Sequence, residues 1–108
     1  MITLQRMDKY KYVRGMILYK YADITKFEID NKQYFQLSYL YSFISEYRED
    51  ISFESLGTIC NKLVDDKFLL TEEIPGDEPF VVYSLKDNID DYKEELKVFK
   101  KGELYNPI

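Results

Sequence analysis

Apolar residues recur every three or four positions through most of the chain, which predicts helices, and form two short runs near residues 70 and 82, which predict strands. The first stripe predicts a five-turn helix that buries Met7, Tyr10, Val13, Ile17, Tyr21 and Ile24. The same segment is rich in strand-forming residues and has a turn signal at Arg14-Gly15, so a hairpin over residues 8–22 is the alternative. A short extended stretch is expected at residues 27–29.

Two further helices are predicted in the middle of the chain. Asp30 and Gln33 have capping-box spacing, and the stripe that follows consists of Tyr34, Leu37, Leu40, Tyr41, Ile44 and Tyr47. Ser52 is a suitable N-cap for the next helix, which is expected to end near residue 66 and to bury Phe53, Leu56, Ile59 or Cys60, Leu63 and Val64.

The last third of the chain predicts a β-hairpin and a final helix. Strands are expected at residues 68–73 and 80–85, joined by the turn signal Pro75-Gly76. The helix should begin at Asp87 or Asn88 and stop at Gly102, with an apolar stripe of Ile89, Tyr92, Leu96 and Phe99. Because the sequence has no repeat and no linker-like composition, residues 1–108 are predicted to form one domain.

The composition excludes most catalytic and metal sites. There is no histidine and a single cysteine, so imidazole bases, intrachain disulfides and multi-cysteine metal sites are excluded. No catalytic triad or glycine-rich phosphate loop is present, and the carboxylate pairs lack the spacing of a calcium loop. We therefore predict a protein that is not an enzyme and that has no metal site and no cofactor. Cys60 is interpreted as a small buried hydrophobic residue.

Charge is distributed unevenly along the chain. The net charge is −5, but residues 1–33 carry seven Lys/Arg against four acids, and the remaining residues are strongly acidic. The longest uncharged stretch, residues 33–45, is too short to cross a bilayer, and the N-terminal residues do not have the pattern of a signal peptide. These features predict a cytoplasmic protein without a membrane association.

The order of three helices, strand, acidic turn, strand and helix resembles a winged helix-turn-helix domain, similar to the MarR and PadR groups of regulators. The residues that carry the resemblance are Leu63, Asp65-Asp66-Lys67, Phe68-Leu69-Leu70, the charged segment 72–78 and Tyr83-Ser84-Leu85. The fold class is therefore predicted as α+β, mainly α, with three core helices, a two-stranded wing and a C-terminal helix. The sequence has Lys67 where the family usually has a left-handed glycine, and its wing is acidic where the family usually offers Arg or Lys.

The resemblance implies that the third helix enters the major groove of operator DNA and that residues 88–102 form a dimerisation helix, through Ile89, Tyr92, Leu96 and Phe99. On the third helix, the candidate DNA-binding residues are Ser55, Thr58, Asn61 and Lys62, because such side chains contact bases and phosphates. A second candidate is the basic cluster Arg6, Lys9, Lys11 and Arg14. For both sets, an ordinary solvated helix face is the alternative interpretation.

Two functions are compatible with these observations. The first is a dimeric winged-helix regulator of the phage or plasmid type that binds double-stranded DNA. The second keeps the fold and replaces DNA by a basic partner protein, because the wing is acidic and arginine is scarce. Such a protein would be an interaction module or an inhibitor.

Overall fold

A computed structural model describes residues 7–104 and has an α+β architecture, as the sequence predicts. The helices are α1 (Lys9–Tyr19), α2 (Tyr21–Ile24), α3 (Leu37–Ser45), α4 (Phe53–Asp65) and α5 (Lys93–Phe99). Two antiparallel hairpins pair β1 (Phe27–Ile29) with β2 (Lys32–Tyr34) and β3 (Leu69–Ile74) with β4 (Phe80–Leu85). A 3₁₀ turn (Ile89–Tyr92) precedes α5, and a π-helical turn (Lys100–Leu104) follows it.

The first segment is helical, so the alternative hairpin at Arg14-Gly15 is wrong. The Asp8 carboxylate caps α1 by accepting hydrogen bonds from the backbone N–H groups of Tyr10 and Lys11, at 2.9 and 3.3 Å. The prediction of one continuous helix to residue 24 is also wrong. The backbone leaves helical geometry at Lys20 (φ −107°, ψ 15°), and the short α2 starts in a new direction that still buries Ile24.

The β1–β2 hairpin replaces the predicted start of the second helix. Asp30 and Asn31 both have positive φ (52° and 66°) and form the two-residue turn between the paired strands. Asp and Asn are the non-glycine residues that tolerate this geometry best, and two such positions in a row match a type I′ hairpin turn. The predicted capping box is therefore wrong, and α3 begins after Gln36, which makes no side-chain cap bond.

The core lies between α1, α3 and α4 and is covered on one side by the β3–β4 hairpin. As predicted, Ser52 caps α4: its hydroxyl accepts from the Ser55 N–H at 3.0 Å. The apolar stripe of α4 then buries Leu56, Cys60 and Leu63 completely. Strand β4 is joined to the segment before α3 by a bridge between Phe35 and Tyr83, whose N–H and C=O groups bond each other at 2.8 Å in both directions.

The residue that follows the C-cap of α4 has a left-handed backbone conformation. Lys67 has φ 64°, and the Phe68 N–H reaches back to the Leu63 carbonyl at 3.0 Å. This backbone conformation turns the chain directly from α4 into β3. A lysine therefore occupies a position that glycine would occupy with less strain.

The C-terminal helix is shorter and less regular than predicted. Asn88 caps the 3₁₀ turn by accepting from the Asp90 N–H at 2.9 Å, and α5 starts only at Lys93. Gly102 lies inside the π-helical turn, so its prediction as the helix stop is wrong. The helix docks on α1, where the Phe99 ring packs 5.9 Å from the ring of Tyr12.

Candidate functional site

An open groove of about 600 Å³ separates the start of α1 from the outer face of α4. It brings together four of the eight residues predicted to bind DNA: Lys9, Ser55, Thr58 and Lys62. Asp8 and Glu54 also line the groove, so its two positive charges face two negative ones. The groove therefore lacks the excess of positive charge that a phosphate backbone attracts.

Most polar groups around this groove already have partners within the protein. The Lys62 ammonium lies 5.1 Å from the centroid of the Tyr10 ring, and the Tyr10 hydroxyl donates to the Asp66 carboxylate. Burial and the contact with Asp66 raise the pKa of the Tyr10 hydroxyl. The Thr58 hydroxyl donates to the Glu54 carbonyl at 3.2 Å, so it is also occupied.

Asn61 does not line the groove, although it follows Thr58 by three residues on α4. Its side-chain oxygen accepts a hydrogen bond from the Tyr83 hydroxyl at 3.4 Å, which ties the helix to β4. Asn61 therefore stays next to Thr58 on α4, but its side-chain oxygen is directed to β4 and not into the groove.

Arg14 has a structural partner at the opposite end of the chain. Its guanidinium donates to both carboxylate oxygens of Glu95, at 2.6 and 2.9 Å, and lies 4.1 Å from the centroid of the Phe68 ring. The bond to Glu95 raises the pKa of Arg14. This bidentate pair connects α1 to α5. The Nε and Nη2 atoms of Arg14 therefore already donate hydrogen bonds within the protein. Arg6 lies outside the described residues, and Lys11 is exposed without lining the groove.

The residues predicted to form a dimer interface are largely turned toward the chain's own core. Phe99 is 3% exposed, and Leu96 is partly buried against the same core. The Tyr92 ring packs on Phe68 at 5.2 Å, while Ile89 is 37% exposed. The stripe thus stabilises the fold of one chain, and dimerisation through it stays a prediction.

A strongly charged feature is the acidic hairpin surface, which we define as the carboxylates on the two faces of β3 and in the turn after it: Glu72, Glu73, Asp77 and Glu78. All four residues are exposed, and within residues 7–104 no lysine or arginine forms an ion pair with them. The neighbouring Glu72 carboxylate, together with burial, raises the pKa of the Tyr34 hydroxyl. The other three carboxylates belong to the same hairpin, and none of them forms an ion pair with a described lysine or arginine.

Aromatic residues lie beside this acidic surface in an arrangement that the sequence pattern did not predict. The Phe27 ring of β1 packs 5.5 Å from Phe80 of β4 and 6.5 Å from Tyr39 of α3. Two aliphatic side chains on the same two hairpins are also accessible: Ile29 is 37% and Val81 46% exposed. The sequence places Phe27 and Phe80 in strands, but only the packing of one hairpin against the other brings them together.

The described residues offer no reactive thiol, no metal-binding cluster and no membrane-spanning helix. Burial raises the pKa of the Cys60 thiol to about 12, which keeps it protonated and unreactive at neutral pH. Among the described residues, no group of three or more Cys, Asp or Glu side chains is placed to hold a metal ion. The helices formed by residues 7–104 include none with both the length and the apolar character to span a bilayer.

Comparison with known proteins does not assign the chain to a family. No protein-family model matches the chain, and searches of curated proteins and of solved structures found no match.

Proposed function

We propose that this protein is a winged-helix interaction module that binds a Lys/Arg-rich partner protein through its acidic hairpin surface. Three features support the fold part of the proposal. Apart from α2 and the β1–β2 hairpin, which lie between α1 and Phe35, the elements follow the order α1, Phe35, α3, α4, β3 and β4. The Phe35–Tyr83 bridge adds a third short extended segment beside the β3–β4 hairpin. Lys67 also has the left-handed conformation expected between a recognition helix and a wing.

The observation that carries the proposal is the absence of countercharge on the acidic hairpin surface within residues 7–104. Carboxylates that lack an ion pair within the protein have no intramolecular cation that a partner must displace. A basic partner that binds there therefore gains electrostatic attraction without breaking an existing ion pair. The neighbouring rings of Phe27 and Phe80 offer apolar area and faces for cations.

The same geometry disfavours DNA at this surface. A winged helix that places α4 in the major groove brings its wing close to the phosphate backbone. Here the wing carries four carboxylates, and Arg14, the one described arginine of the predicted basic cluster, is bound to Glu95. A surface that presents several exposed, unpaired carboxylates instead resembles the phosphate backbone in the sign of its charge. Occlusion of such a protein's basic site is the activity that this surface fits best.

Operator binding is the second candidate, and one observation favours it. The groove between α1 and α4 places Lys9 and Lys62 beside the hydroxyls of Ser55 and Thr58. If DNA binds there, Lys9→Ala with Lys62→Ala should abolish the complex, and added salt should weaken it steeply.

The test compares the affinities of the same protein preparation for two ligands, a basic peptide and DNA. Binding of a fluorescent oligolysine and of sheared duplex DNA is titrated at about 50 mM and about 200 mM salt. The key variant neutralises three hairpin carboxylates (Glu73→Gln, Asp77→Asn and Glu78→Gln). A matched control makes the same change in net charge on the exposed residues Asp90, Asp91 and Glu94 (Asp90→Asn, Asp91→Asn and Glu94→Gln).

We expect the hairpin variant to bind oligolysine about tenfold more weakly, since three exposed ion pairs contribute roughly 0.2–1 kcal/mol each. The control should change the affinity by about twofold or less, because its carboxylates are outside the surface. Equal losses in both variants would show that only net charge matters and would refute the assigned surface. A DNA complex that survives about 200 mM salt, with no oligolysine binding, would establish the second candidate.

A further inference from the structure

Strand β3 is the open edge of its sheet, and the hydrogen bonds of β4 show which β3 groups face outward. Both the N–H and the C=O of Tyr83 bond to Phe35, on the side of β4 away from β3. Backbone groups alternate sides along a strand, so the β3 residue opposite Tyr83 is not hydrogen-bonded to it. That residue is Thr71. The Leu85 N–H follows the same alternation. It donates a hydrogen bond to the Tyr21 hydroxyl oxygen at 3.1 Å and not to β3.

It follows that Thr71 and Glu73 direct their backbone N–H and C=O groups away from β4. Both residues are exposed, and no hydrogen bond to these backbone groups occurs in the described part of the chain. Four backbone donors and acceptors therefore lie in a row at an accessible edge. Such an edge is a template for an additional strand.

The side chains along this edge select the chemistry of the strand that would pair with it. Glu72 and Glu73 lie on opposite faces of β3, so both faces are acidic. Leu70 is 38% exposed and shares a face with Glu72 and Ile74. A strand beside β3 would thus meet a carboxylate on each face and aliphatic contacts on one. A strand of alternating basic and apolar residues can place its cations on the face of Glu73 and its aliphatic side chains on the face of Leu70 and Ile74.

We propose that the partner docks as an extended Lys/Arg-bearing segment that adds a strand to the outer edge of β3. This inference rests on the proposed function and specifies how the acidic hairpin surface engages its partner. A second copy of this chain does not fit, because the antiparallel register that pairs Thr71 with Glu73 of the copy would place the two Glu72 side chains directly opposite each other. The acidic charge that keeps β3 from pairing with a second copy also favours pairing with a basic strand.

The first test separates the backbone edge from its charge. The probe is a fluorescent peptide of alternating lysine and valine, and its affinity is measured for Thr71→Pro and Thr71→Val. Proline removes the outward N–H without breaking the β3–β4 ladder, since the Thr71 N–H points away from β4. Valine keeps that N–H, and both variants lose the hydrogen bond from the Thr71 hydroxyl to the Val82 carbonyl. We expect about a tenfold weaker complex with proline and no more than about a twofold change with valine.

The second test uses the unaltered protein and does not depend on how proline is tolerated. Amide hydrogen exchange is followed with and without the lysine–valine peptide. Strand addition should slow exchange at Thr71 and Glu73 by about tenfold or more, and leave the already bonded amides of Leu70 and Glu72 nearly unchanged. Unprotected Thr71 and Glu73 amides in a saturated complex would overturn the inference.

The two proposals fail in different ways. If the hairpin charge variant weakens binding while the Thr71 and Glu73 amides stay unprotected, the acidic surface stands and strand addition is wrong. If neither oligolysine nor the lysine–valine peptide binds, both proposals are wrong.

Discussion

Gly15 lies where α5 docks on α1. Replacing glycine by alanine usually stabilises a helix interior, but we expect Gly15→Ala to destabilise this protein. A β-carbon built at Gly15 would lie 2.1 Å from Cδ1 of Phe99 and 2.5 Å or less from two further ring atoms. Real β-carbons essentially never approach another atom within 3.0 Å. The ring must therefore move, although Phe99 is 3% exposed and packs on Tyr12.

The magnitude follows from two opposing contributions. In a helix interior, alanine is more stable than glycine by roughly 0.5–1 kcal/mol. Overpacking of a closed core costs about 1–3 kcal/mol, because the ring leaves its preferred rotamer or pushes its neighbours apart. The net expectation for Gly15→Ala is a loss of about 1–2 kcal/mol in the free energy of unfolding. In a Phe99→Ala background the clash is absent, so the same substitution should stabilise by about 0.5–1 kcal/mol.

Urea unfolding followed by circular dichroism measures all four proteins of this double-mutant cycle. The expected coupling between the two sites is about 1.5–3 kcal/mol, well above the error for independent positions. A Gly15→Ala protein that is more stable than the original would refute the docking of Phe99 on α1. That result is also expected if residues 88–102 left α1 to pair two chains, so sedimentation analysis of the same variant distinguishes the two causes.

The remaining predictions concern single positions and pH. Lys67→Gly should stabilise the protein by about 0.5–1 kcal/mol in urea unfolding, because glycine adopts positive φ without strain; a destabilised variant would contradict the left-handed turn after α4. Ser84 is fully buried, and its hydroxyl has no hydrogen-bond partner within the described residues, so Ser84→Ala should raise the unfolding free energy by about 1 kcal/mol; a loss of that size would reveal a bond to the hydroxyl. Burial raises the pKa of the Cys60 thiol to about 12 and also raises the pKa of the Tyr21 and Tyr83 hydroxyls. The unfolded chain then releases these protons first, so thermal stability should fall as the pH rises above about 8.5, and a constant melting temperature would be inconsistent with their burial.

The parts of the fold that the sequence predicts well depend on contacts between close neighbours in the chain. Ser52 caps α4, and the stripe of Leu56 and Leu63 identifies its buried face before any tertiary contact is known. The β3–β4 hairpin is found within one or two residues, because its apolar runs flank a proline–glycine turn.

Prediction fails where two local signals compete. Asp30 is suitable both as a helix cap and as the first residue of a type I′ turn, and Asn31 is the residue that favours the turn. The hairpin prevails because Phe35 must stay extended to bridge Tyr83, and that strand partner is 48 residues away in the sequence. No short window around Asp30 contains this information.

The sequence by itself determined the α+β class, most helix and strand positions and the net acidity, since these follow from periodicity, turn chemistry and composition. Tertiary structure alone decided which charges have partners. The docking of α5 pairs Arg14 with Glu95. The carboxylates of the β3–β4 hairpin form no ion pair with any lysine or arginine of the described residues. Charge pairing acts over a few ångströms in space between residues that are far apart in the chain, so a candidate binding surface emerges only when the elements are packed.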